Sequence, residues 1–157
     1  MLMKKFFYLC MIALGCMVGF TACGDDDDDL NYDDLENLTP TDVKTDLKDN
    51  GNSLVITYVV SAGNIKASVQ GTYKFDGSSD NANFVSGQLV YTYPNETIAR
   101  QAYESEYDEW EKSEGLVRLS GKQIIEDDSE EYEGMTKGEV KEYLQMMVNY
   151  IKNHGTD

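Results

Sequence analysis

Ser53-Leu-Val-Ile-Thr-Tyr-Val-Val-Ser-Ala-Gly-Asn-Ile-Lys-Ala-Ser-Val-Gln-Gly-Thr-Tyr-Lys-Phe75 is the stretch on which the fold turns. Its first half, Ser53 to Val60, is dense in β-branched residues and reads as a strand, and its near-continuous apolarity suggests a central position. Ser61-Ala62-Gly63-Asn64 is turn chemistry. From Ile65 the pattern changes to strict alternation. Ile65, Ala67, Val69, Gly71, Tyr73 and Phe75 fall on one parity, and Lys66, Ser68, Gln70, Thr72 and Lys74 on the other. Period two with one wet face is the signature of an antiparallel strand. The stretch therefore predicts a β-hairpin at the centre of an antiparallel sheet.

Downstream of the hairpin, Asp76–Asn83 reads as a polar loop. Its Asp76 and Asp80 lack the spacing and the distal Glu of an EF-hand calcium loop. Phe84–Tyr93 predicts a third strand, with Val85, Gly87, Leu89, Tyr91 and Tyr93 on one face. Asn95 caps an expected helix over 96–112, whose inner stripe is Ile98, Ala99, Ala102, Tyr103, Tyr107 and Trp110. Leu116–Ile125 predicts a fourth strand, with Val117, Leu119 and Ile125 sharing a parity. Thr136 and Glu139 form a capping box, and Met135 and Val140 stand at staple positions. The helix they open carries the stripe Val140, Tyr143, Leu144, Met147 and Ile151, with Gly155 as its C-terminal stop.

Upstream, Thr39-Pro40-Thr41-Asp42 has the form of a helix start, with Thr39 as N-cap and Pro40 at N1. Asn50-Gly51 has the form of its stop. The predicted order is α-β-β-β-α-β-α. The expected fold class is α+β: a four-stranded, mostly antiparallel sheet with two or three helices packed on one face. Cystatin-like and β-lactamase-inhibitor-like proteins resemble this in element order alone.

The N-terminal 38 residues follow a different logic. Lys4 and Lys5 precede an uncharged apolar run, Phe6–Phe20, which is shorter than the roughly 20 residues a bilayer span needs. It matches the apolar region of a secretory signal. Phe20-Thr21-Ala22-Cys23 follows, then Gly24 and five consecutive aspartates, Asp25–Asp29. This arrangement resembles the lipobox of bacterial lipoproteins, with Phe20 in place of the usual leucine. The acidic run resembles that of Bacteroidota surface lipoproteins. The resemblance implies cleavage before Cys23, lipid on its sulfur, and export to the outer membrane facing the cell surface, with the periplasmic face as the alternative. The expected organisation is a signal peptide over 1–22, a lipidated cysteine and acidic tether over 23–38, and one α+β domain over 39–157.

Composition narrows the function classes. The formal net charge is −16, and removal of Lys4 and Lys5 makes the mature chain more acidic still. Such a surface repels nucleic-acid phosphates, so no nucleic-acid partner is expected. Cys10 and Cys16 lie in the signal segment and Cys23 takes the lipid, so the folded part has no thiol for a disulfide, a metal or catalysis. The single histidine, His154, stands near the C-terminus, where a triad cannot be held rigidly. No Gly-rich phosphate loop and no G-x-S-x-G is present.

Cys23 is thus the one site residue assigned, with no catalytic, cofactor or metal site. The tyrosines 58, 73, 91, 93, 103, 107, 143 and 150, with Trp110, suit either core packing or a contact surface for proteins or sugars. The expected function is that of a non-catalytic, lipid-anchored envelope module that binds a protein or glycan. A small inhibitor of an enzyme such as a protease is the alternative, and a small carboxylate-based hydrolase is the third reading.

Overall fold

The computed structural model describes residues 40–154. The expected signal peptide, Cys23, the acidic run, the Thr39 cap and the Gly155 stop lie outside the described residues. The protein is α+β, with a six-stranded antiparallel sheet and three helices. The strands are β1 (Asp42–Asp49), β2 (Ser53–Ala62), β3 (Ile65–Phe75), β4 (Phe84–Thr92), β5 (Val117–Ser120) and β6 (Gln123–Asp127). The helices are α1 (Glu96–Glu106), α2 (Glu109–Ser113) and α3 (Lys137–His154), with one 3₁₀ turn at Glu130–Tyr132. Strand order across the sheet is β1-β2-β3-β4-β6-β5, and every pairing is antiparallel. The first four strands form a meander. The chain then leaves through α1 and α2 and returns as the β5–β6 hairpin on the β4 edge.

The sheet has two strands more than expected, for two local reasons. The segment expected as a helix after Thr39 is β1. Val43, Thr45 and Leu47 alternate with Lys44, Asp46 and Lys48, and the alternation prevails because β2 offers a full ladder of partners, from Asp42↔Ser61 to Asp49↔Leu54. Asn50-Gly51 is therefore a hairpin turn and not a helix stop. Gly51 takes φ 84°, its N–H donates to Asp49 Oδ1, and Asn50 N–H donates to Ser53 O. A glycine is suited to that positive φ. The second addition is Leu116–Ile125, expected as one strand and folded as a hairpin about Gly121-Lys122, with Gly121 at φ 57°. The turn reverses parity. Ile124, opposite Leu119, is fully buried, and Ile125 faces the other way.

Two further expectations change at the helices and β4. The helix over 96–112 is interrupted where Tyr107 is extended (φ −117°, ψ 135°) and α2 restarts after Asp108. Trp110 is consequently 63% exposed instead of lying in the core. A bulge between Lys74 and Phe75 pairs Phe84 with Phe75 and leaves Val85 as the extra residue, turned to solvent.

All the buried side chains of β2, β3, β4, β5 and β6 share one face of the sheet. They include Leu54, Ile56 and Tyr58, then Val69 and Tyr73, then Leu89 and Tyr91, with Val117 and Ile124 on the last hairpin. Ile98, Ala99 and Ala102 of α1 and Val140, Leu144, Val148 and Ile151 of α3 belong to the same core. Each large aliphatic chain buried here contributes about 2 kcal/mol. Gly71 lies under Ile56 and Tyr73, where a Cβ would come within 2.9 Å of both side chains.

The capping box of α3 forms as expected, with Thr136 N–H and Oγ1 both 2.8 Å from Glu139 Oε2. The next free N–H groups of α3 donate to the 76–83 loop, Lys137 to Ala82 O at 2.8 Å and Gly138 to Asp80 O at 2.7 Å. His154 closes the helix, its Nδ1 3.0 Å from Tyr150 O.

Candidate binding face

With the helices and the core on one side, the other side of the six-stranded sheet carries no helix. Its composition follows from strand parity, and register places its residues in rows. One row runs Lys48, Val55, Thr72, Gln88 and Asp127. The next runs Asp46, Thr57, Gln70, Val90, Ile125 and Arg118. A third runs Lys44, Val59, Ser68, Thr92, Gln123 and Ser120. Lys74 beside Ser86 closes one end, and Lys66 beside Ser61 closes the other. The middle is a strip of half-buried valine and threonine with Gln70 and Gln88 exposed among them, and the charged residues form its rim.

The rim is cationic in an acidic protein. Of the eleven lysines and arginines between residues 40 and 154, Lys44, Lys48, Lys66, Lys74, Arg118 and Lys122 belong to this face. Of the twenty aspartates and glutamates in the same span, only Asp42, Asp46 and Asp127 do. Asp42 and Asp46 are engaged by Lys44 at 2.9 Å and Lys48 at 3.7 Å. These pairs are exposed and screened by solvent, so they stabilise little. Asp127 accepts a hydrogen bond from Ser129 N–H at 2.9 Å.

Two hollows mark the face. One, of about 420 Å³, lies at the Lys74 end and is lined by Thr72, Lys74, Ser86, Gln88, Arg118, Ile125 and Asp127 among others. The second, of about 330 Å³, lies at the opposite end of β3, with Lys66, Ser68, Thr92 and Lys122 in its wall.

The tyrosines do not form a contact surface. Tyr58, Tyr73, Tyr91, Tyr93, Tyr107 and Tyr132 are buried on the helix side, and Tyr103 and Tyr143 are half-buried there. Trp110 and Tyr150 are the exposed large aromatics among the described residues. Trp110 edges a groove of about 340 Å³ that adjoins the Lys74 hollow through Leu116, Asp127 and Ser129, and its wall includes Glu111, Glu126, Asp128, Glu130 and Glu131.

In that groove Asp128 is only 5% exposed, and Tyr73 Oη donates to its Oδ2 at 3.1 Å. Burial, reinforced by the charges of Glu126, Glu131 and Asp127, pushes its carboxyl up to about 7 against the pull of the Tyr73 hydrogen bond. Of the two loop aspartates considered for calcium, Asp76 has its carboxylate engaged, whereas Asp80 is held through its backbone carbonyl. Asp76 accepts from Asn83 N–H and Nδ2 at 2.8 and 2.9 Å, which holds its carboxyl below the usual range, and Asp80 O accepts from Gly138. Among the described residues no group of three or more metal-ligating side chains converges. No helix among them is long and apolar enough to cross a membrane.

The rim lysines of β3 are visible in the sequence as the wet parity of Ile65–Phe75. Their gathering with Lys44, Lys48 and Arg118 is not, because it depends on β1 and the β5–β6 hairpin being strands of this sheet. No family model, curated protein or solved structure matches the chain.

Proposed function

We propose that the protein is a non-catalytic binding or accessory module of the cell envelope, anchored through lipid on Cys23, with the helix-free face of its sheet as the contact surface. The observation that carries the contact surface is the segregation of side chains. Helices, tyrosines and core lie on one side, and exposed polar chains around two hollows lie on the other. The anchor rests on Phe20-Thr21-Ala22-Cys23 and the aspartates behind it. An acidic tether that cannot pack onto an apolar core would hold the domain away from an anionic bilayer.

Asp128 favours a second reading, a small hydrolase, since a carboxyl titrating near 7 suits a general acid. Its burial and its bond to Tyr73 fit a structural carboxylate better. For the anchor, Cys23→Ala is expected to move the chain from the membrane fraction to the soluble fraction. A mutant still membrane-bound after carbonate and high-salt washing overturns the lipid assignment. Protease shaving of intact cells separates the two faces of the membrane: loss of the domain means surface exposure, and protection until the envelope is opened means the periplasm.

A further inference from the structure

We infer that the helix-free face takes an acidic polysaccharide, laid along the strands with carboxylate or sulfate groups over the two cation-bearing hollows. This inference deepens the binding-module reading and rests on it. Charge complementarity carries it first. Lys74 and Arg118 line one hollow and Lys66 and Lys122 the other, and among the described residues none of the four has a carboxylate partner. The protein's acidic helices lie behind the sheet, and a Debye length of about 8 Å at physiological ionic strength leaves the face its own local sign.

Spacing carries it second. Lys66 and Lys74 stand eight residues apart on β3, roughly 27 Å at the rise of an antiparallel strand. That separation suits an extended chain of several sugar units with spaced charges, not a compact anion. The surface in and between the hollows is chemically suited to such a chain. Gln70, Gln88, Thr92 and Gln123 present amides and hydroxyls that both donate and accept, as sugar hydroxyls do.

The face also lacks what other ligands use. None of its strand positions holds an aromatic residue, and the one aromatic in the walls of the two hollows, Tyr93, is 7% exposed. Neutral sugars and protein anchors favour tyrosine and tryptophan, and single-stranded nucleic acid uses aromatic stacking platforms.

The test is binding of the mature chain, purified in detergent, to polygalacturonate and to a sulfated glycan. Neutral dextran, poly-glutamate and single-stranded DNA serve as comparators. Two double variants, Lys74→Ser with Arg118→Ser and Lys66→Ser with Lys122→Ser, remove one hollow's charge each from exposed positions. At low salt one or both acidic glycans are expected to bind and dextran is not. Each double variant is expected to weaken binding about tenfold or more, as charge-assisted hydrogen bonds are lost. Which of the two glycans binds tells carboxylate from sulfate.

Absence of binding to both acidic glycans overturns the inference, as does binding indifferent to both double variants. Equal binding of poly-glutamate or DNA shows an unselective anion patch and overturns it too. Dextran or poly-glutamate bound alone, and lost in the variants, leaves the face as a binding surface and removes only the acidic glycan.

Discussion

Replacing Asp128 by asparagine should make the protein more stable at neutral and alkaline pH and change little at acid pH. The carboxyl lies in the wall of the acidic groove, 5% exposed, and burial raises it from the ordinary 3.8 to about 7. A raised value means that the folded state holds the proton more tightly than the unfolded state. The stability so contributed is complete below pH 3.8, declines between about 4 and 7, and is gone above 7. A shift of this size corresponds to about 4 kcal/mol, at 1.36 kcal/mol per pH unit. Asparagine keeps an oxygen for the Tyr73 hydroxyl and carries no charge.

The comparison is made by urea denaturation of the soluble chain from Gly24 onward, wild type against Asp128→Asn, at several pH values from about 4 to 8. With a slope of about 1.5 kcal/mol per molar urea, the two midpoints should nearly coincide at the acid end. They should separate by as much as about 2–3 M at the alkaline end. A separation that stays constant across this range would refute the reasoning, because it would show that asparagine acts through packing and not through charge.

Three further substitutions test the core and its ion pairs. Asp49 accepts from Lys137 Nζ at 2.7 Å and from Lys141 Nζ at 2.9 Å, and these bonds hold its carboxyl well below the usual range. Lys137 is buried, with Ser78 O as its other acceptor at 3.1 Å, whereas Lys141 is half-exposed. Asp49→Ala therefore strands a buried ammonium and should cost about 3 kcal/mol, while Lys141→Ala should cost less than about 1 kcal/mol. Equal losses in chemical denaturation would contradict that asymmetry. Gly71→Ala should lower stability by about 1–3 kcal/mol through contact with Ile56 and Tyr73. Thermal unfolding measures it, and an unchanged Tm would show that both side chains move aside freely.

The central hairpin is legible in the sequence because Ile65–Phe75 alternates without interruption and its apolar parity is the one buried. The long C-terminal helix is legible from Thr136 and Glu139, whose side chains meet as their spacing requires. β1 is harder to read because two signals are ambiguous. Thr39-Pro40 fits a helix start, and Asn50-Gly51 fits both a helix stop and a hairpin turn. The alternation of Val43, Thr45 and Leu47 with Lys44, Asp46 and Lys48 separates the cases, since a helix would put Thr45 on the side opposite Val43 and Leu47. At Gly121-Lys122 a two-residue turn is hidden inside a run of strand-forming residues. The candidate face is obscured by both. Its central strands can be read directly, but β1, which supplies Lys44 and Lys48, resembles a helix, and β5, which supplies Arg118, merges with β6.

β1 is an edge strand and also the strand through which the polypeptide enters the fold. A pull on the segment before residue 41 is felt first at Thr41, whose N–H and Oγ1 both reach Ser61 O at 2.7 and 3.1 Å. Along the strand axis, eight residue pairs with β2 bear the tension together. Across the axis, the pairs separate in succession, beginning at Asp42↔Ser61. The domain is thus built to resist traction in one direction and to peel in another. Under flow or tugging, the angle of the pull would decide whether the sheet holds or β1 comes away.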